Sequence, residues 1–186
     1  MSRIVSIQQL ADAAAAGDGD GVRRLLGEDP ELALAYTDDG WTALHLAATP
    51  EIAAMLLGAG ADINARNRHR VAGPGNSPLS AAVYQQRSAV VRLLIERGAD
   101  VNQCDNAGWT PLHIASASGY VESARILLEA GAQPDARTGE VGGARWANKT
   151  PMELLSDNDR KRDDGTPVPP AADGEMRSLL REHAAS

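Results

Sequence analysis

Residues 108–115 read GWTPLHIA, and residues 40–47 read GWTALHLA. The likeness runs on past both. ARILLEAGAQPDAR (124–137) follows the second copy much as AAMLLGAGADINAR (53–66) follows the first, and a weaker copy, SPLSAAVYQQRSAVVRLLIERGADVN (77–102), lies between them. Aligned on Thr42, Ser77, Thr110 and Thr150, the copies are spaced by 35, 33 and 40 residues; aligned on Gly60, Gly98 and Gly131, by 38 and 33. A period near 33 residues, with insertions, is the mark of a repeat architecture.

The copy at 105–137 gives the local structure. Thr110 suits a helix N-cap and Pro111 the first helical position, where no amide donor is needed. Leu112, Ala115 and Ser116 put small or apolar groups on one face, and Gly119 stands where the short helix must stop in a left-handed cap. Val121, Ala124, Leu127 and Leu128 form the apolar stripe of a second helix, which Gly131 ends. In the copy before it, Ser77 and Pro78 start a helix, Val90, Val91, Leu93, Leu94 and Ile95 fill the next, and Gly98 closes it. Each unit is therefore a helix, a tight turn, a helix and a projecting turn. Helices of about ten residues are marginal alone, so stability must come from stacking on neighbours.

TPLHIA at 110–115, TALHLA at 42–47, and GAD at 60–62 and 98–100 resemble the ankyrin repeat. The resemblance covers roughly residues 4–156 and a final helix. It implies an all-α ankyrin-repeat solenoid of about five stacked helix-turn-helix units with projecting β-hairpin-like loops, in a single domain. The units read as 4–37, an N-terminal capping repeat with Gln8, Gln9, Arg23 and Arg24 toward water; 38–66, a shortened repeat; 67–104, a repeat with an extended hairpin; 105–137, a regular repeat; and 138–186, a C-terminal capping repeat. In the shortened repeat three residues are missing, and Thr49 and Pro50 restart the chain as N-cap and first residue of the second helix. Ser80 replaces the motif histidine in the third unit. In the last, TPMELLS (150–156) opens the cap, the run DNDRKRDDGTPVPPAADG (157–174) reads as an inserted loop, and EMRSLLREH (175–183) as a delayed helix burying Met176, Leu179 and Leu180.

Composition agrees with thin helical layers. Among 186 residues phenylalanine is absent and aromatics make up 3%, whereas one large globular core draws on bulky aromatic fillers. The net charge of −7 argues against sequence-independent nucleic-acid binding, which needs a basic surface. A lone cysteine, Cys104, makes neither an intrachain disulfide nor a zinc cage. No stretch reaches the roughly 20 apolar residues of a membrane span. Gln8, Gln9 and Asp12 interrupt any signal-peptide core. A cytoplasmic setting is the expectation.

No residues stand at the spacing of a catalytic or metal site, and no cofactor is expected. His45 and His113 share one motif slot, for which the resemblance implies a structural role, the ring bracing the hairpin through hydrogen bonds. His69 and His183 have no partner at zinc-site spacing, and Cys104 has no evident base. The run GPGN (73–76) lacks the lysine of a phosphate loop and reads as a turn. Asn64 and Asn102 read as locks of the hairpin turn. The tryptophans carry more: Trp41 and Trp109 each precede the helix-starting threonine, and Trp146 lies near the equivalent place. They form either an aromatic ladder open to a partner or packing that stiffens the hairpin row. The long hairpin carries Arg66, Arg68, His69 and Arg70, either a positive tip or a solvated loop; Arg68, Arg70 and, from the same hairpin, Asn76 join the binding candidates. Ankyrin geometry would turn Tyr84, Gln85, Ala117 and Ser118 toward a concave face. These ten residues are the candidate binding set for a protein partner. The resemblance implies a non-enzymatic protein-interaction module, monomeric on its own; the alternatives are a self-assembling scaffold, or a ligand or enzyme site on the loops 67–77 and 138–149.

Overall fold

A computed structural model of the chain describes residues 3–68, 75–140, 146–155, 166 and 168–184. The chain forms two compact units, residues 1–100 and 101–186. In the first unit helices α1 (Arg3–Ala16) and α2 (Gly19–Glu28) are followed by a 3-10 turn (Pro30–Leu34), then by the pairs α3 (Ala43–Leu46) with α4 (Pro50–Gly58) and α5 (Pro78–Tyr84) with α6 (Ser88–Glu96). In the second, α7 (Pro111–Ser118) pairs with α8 (Val121–Glu129), and α9 (Pro151–Leu154) precedes α10 (Pro170–Ala184). No strand occurs among the described residues.

Each unit is built in two layers. In the first, α3 packs between α1 and α5, while α2, α4 and α6 form the second row. In the second, α7 lies on α9 and α8 on α10. Leu10, Leu32, Leu44, Ile52, Leu56, Leu79 and Leu94 are fully buried in the first unit, and Leu112, Leu127, Leu154, Met176 and Leu180 in the second. Burying one such side chain is worth roughly 2 kcal/mol, and helices as short as the four residues of α3 or α9 do not stand without such packing.

The helices start where the sequence says. Thr49, Ser77 and Thr110 are N-caps whose side chains accept backbone N–H groups from Ile52, Ser80 and His113, each with proline next in line. Gly119 stops α7 at φ 69°. In the preceding repeat the same left-handed step falls on Gln86, at φ 55°. The last helix departs from expectation. It begins at Pro170 rather than Glu175, because proline suits the first turn and the alanines after it propagate a helix. The expected loop is thereby shortened at its C-terminal end; 156–165 and 167 lie outside the described residues. Met176, Leu179 and Leu180 are buried as expected.

Candidate functional site

The loops between helix pairs are closed by one recurring device. A Thr, Asn or Asp at the outgoing end accepts backbone N–H groups from the returning end through its side chain. Thr37 Oγ1 takes Trp41 N–H (3.1 Å), Asn67 Oδ1 takes Gly75 and Asn76 N–H (2.7 and 3.1 Å), Asp105 Oδ1 takes Trp109 N–H (2.8 Å), and Thr138 Oγ1 takes Lys149 N–H (2.9 Å). The backbones of the same pairs bond directly: Thr37 N–H to Trp41 O, Asn67 N–H to Asn76 O, Asp105 N–H to Trp109 O and Thr138 N–H to Lys149 O. Neighbouring loops join through Arg68 N–H to Gly40 O (2.8 Å) and Gly139 N–H to Ala107 O (2.7 Å). Sequence reasoning missed these four closing residues. Their signal is a short polar acceptor five residues before Thr42 and Thr110, a spacing that the longer loops ending at Ser77 and Thr150 obscure.

The motif histidines tie helix to loop. The N–H of Thr42 donates to His45 Nδ1 at 3.4 Å, and the Thr42 hydroxyl lies 2.8 Å from the same nitrogen. A backbone amide can only donate, so Nδ1 is the acceptor and the ring proton sits on Nε2, which donates to Asn76 O at 2.9 Å. His113 repeats the pattern: Thr110 N–H to Nδ1 at 3.1 Å and Nε2 to Lys149 O at 3.0 Å. Burial lowers His45 to a pKa of about 4, against the partly opposing backbone bonds to Asn76 and Ala65; burial also lowers His113. Both rings are neutral structural clasps. In the third repeat Ser80 N–H bonds to Ser77 Oγ at 3.1 Å. In the last, Glu153 takes the histidine's place at the cap, its carboxylate accepting Thr150 N–H at 2.8 Å.

Around these clasps the candidate residues fall into local groups. Trp41 is partly exposed and meets the His45 ring edge to face, centroids 5.5 Å apart. Trp109 lies 6.1 Å from His113 and 5.8 Å from Trp146, the indoles at 67°; both tryptophans are partly exposed. Arg68 stacks its guanidinium on Tyr36, 3.8 Å from the ring centroid. Asn76 serves the loop through its backbone, as donor to Asn67 and acceptor from His45. Tyr84 is 50% exposed. Its neighbour Gln85 donates to the carbonyls of His45 and Ala81, both at 3.1 Å. Ala117 is partly exposed, but Ser118 is buried, since the turn at Gly119 lies under Val168 and Ala172. Arg70, with His69, lies outside the described residues. Asn64 Oδ1 accepts Asp100 N–H at 3.0 Å and Asn102 Oδ1 accepts Gln133 N–H at 2.9 Å, so these asparagines lock one repeat's turn to the next.

Among the described residues no group of three or more His, Cys, Asp or Glu side chains could hold a metal ion, and no helix is long and apolar enough to cross a membrane. Cys104 is partly buried and in no disulfide.

Stacked helix pairs, a Thr–His clasp to the next loop and asparagines linking successive turns define a protein of serial repeats. The repeats are ankyrin repeats: residues 50–138 match the family model described as ankyrin repeats in three copies. The chain is 48% identical over 62 residues to protein phosphatase 1 regulatory subunit 27 of Homo sapiens, a match covering 33% of this chain and 40% of that protein. It is 35% identical over 100 residues to the nuclear factor NF-kappa-B p105 subunit of Gallus gallus (52% of this chain, 10% of that one). Over 61 residues it is 43% identical to ankyrin repeat and KH domain-containing protein 1 of Homo sapiens (33% and 2%). In each case the matched stretch spans less than half the relative's length.

Proposed function

We propose that the chain is a non-enzymatic module that binds a protein partner through its hairpin loops and the ends of its first helices. The observation that carries this is the partly exposed Trp109–Trp146 pair on two loops held side by side by the Gly139–Ala107 bond. Tryptophan pays little conformational entropy for a large contact area, and truncating one at a hot spot costs about 2 kcal/mol or more. The loops beneath are fixed by side-chain acceptors and clasps, so binding need not order them. His45 and His113 are already committed at both ring nitrogens, which suits a scaffold rather than proton transfer. The lone Cys104 fits a reducing, cytoplasmic setting, which cell fractionation would test.

Affinity capture from the native cell, with the natural chain and with Trp109→Ala and Arg68→Ala, tests the reading. A specific protein retained by the natural chain and weakened by Trp109→Ala is the expected result. A partner held equally by both variants places binding elsewhere on the molecule.

A further inference from the structure

The three residues missing from the second repeat leave a mark on the fold. Helix α3 ends at Leu46 after four residues, between α1 with fourteen and α5 with seven. Its last carbonyls are left without the next helical turn. Two side chains that follow α5 lean over the cut end: Gln85 Nε2 donates to His45 O at 3.1 Å and Arg87 Nη1 donates to Leu46 O at 2.6 Å, while on the other side the chain leaving α3 bonds to α1, Ala48 N–H donating to Ala14 O at 3.0 Å. One guanidinium nitrogen is used in this way, and the fork has further donors.

Arg87 has no carboxylate within ion-pair distance among the described residues. Burial alone displaces its pKa, downward, with no acidic neighbour acting against it. Yet acids outnumber bases in the chain, 25 to 18. A partly exposed cation that an acidic protein leaves unpaired, fixed in direction by a carbonyl, is set to receive a carboxylate from outside. Beside it stand Tyr84, half exposed, and the exposed Gln85 and Gln86. Tyrosine and arginine are among the types that dominate interface energy.

We propose that Tyr84, Gln85, Gln86 and Arg87, gathered over the cut end of α3, seat a Glu or Asp side chain of an exposed peptide segment on the partner, with Tyr84 covering the adjoining methylenes. This rests on the protein-binding reading above and adds the chemistry of what is bound.

Random dodecapeptides displayed on phage, selected on the full-length chain and resynthesised with amidated C-termini, provide the test. The expected peptides share an acidic residue. Their binding falls about tenfold or more when that residue becomes its amide, falls comparably in Arg87→Gln and Tyr84→Ala protein, and weakens as salt rises. Arg87→Lys keeps a cation and retains part of the affinity. Thermal melting of each variant separates a lost seat from a lost fold, and Tyr84→Ala serves if Arg87→Gln is unstable. Peptides that share no acid, that bind Arg87→Gln equally, or that need a free C-terminal carboxylate overturn the proposal, as does a selection that enriches nothing. In those cases a partner whose capture depends on Trp109 but not on Arg87 keeps the broader reading standing; loss of that capture as well removes both.

Discussion

His45 shows how a residue that looks catalytic is spent on the fold. Its Nδ1 accepts from Thr42, its Nε2 donates to Asn76 O, and burial holds its pKa near 4. The unfolded chain takes up this proton near pH 6.5, the folded chain only near 4. Between those values the unfolded state binds more protons, so acid favours unfolding. The contribution of His45 is complete above pH 6.5 and declines by ~1.4 kcal/mol per pH unit on the way down. It is gone below about pH 4, a total of about 3 kcal/mol. Urea unfolding of the natural chain and of His45→Gln, from about pH 7.5 to about pH 4.5, should show the stability gap between them closing as pH falls; a constant gap would contradict the buried neutral ring. The histidine slot was legible because TALHLA and TPLHIA repeat it. The carbonyl it clasps was not, because the loops between His45 and Asn76 and between His113 and Lys149 differ in length and composition.

At the scale of elements, turns and caps were the legible part. Thr49-Pro50, Ser77-Pro78 and Thr110-Pro111 start helices because an N-cap acceptor followed by proline has few other good conformations. The start of α10 was not legible, because Gly174 and three prolines suggest a loop; burial of Met176, Leu179 and Leu180 holds the helix together through the exposed glycine. The burial of Ser118 was equally hidden, since it depends on a segment fifty residues further along the chain. Glycines give a test that separates backbone strain from packing. Gly60 and Gly119 both have positive φ, 93° and 69°. A Cβ on Gly60 meets nothing within 4 Å, whereas one on Gly119 would overlap the Val168 side chain. Gly60→Ala should cost about 1 kcal/mol from backbone strain alone. Gly119→Ala should cost about 2 to 3 kcal/mol, because Val168 must also move. Thermal melts of the two variants check the order, and equal losses would mean that the segment before α10 yields freely.

For the whole molecule, serial construction makes stability local: a repeat is supported by what it touches. Within the second unit α10 touches α8 and α9, and it buries Met176, Leu179 and Leu180 there to 5% exposure or less. Three such side chains amount to about 6 kcal/mol of burial as an upper figure. That is comparable with the 5–15 kcal/mol that typically separates folded from unfolded domains. Removing residues 175–186 should therefore lower the melting temperature and leave α9, four residues long, supported by α7 alone. The loss should be graded. Hydrogen exchange should show α9 and α8 losing protection first, while α1–α4, whose contacts lie within the first unit, retain theirs. Uniform loss along the chain would show one cooperative body in place of a series of nearest-neighbour steps. An unchanged melt would show that the terminal helix is no cap and that α8 closes the stack by itself.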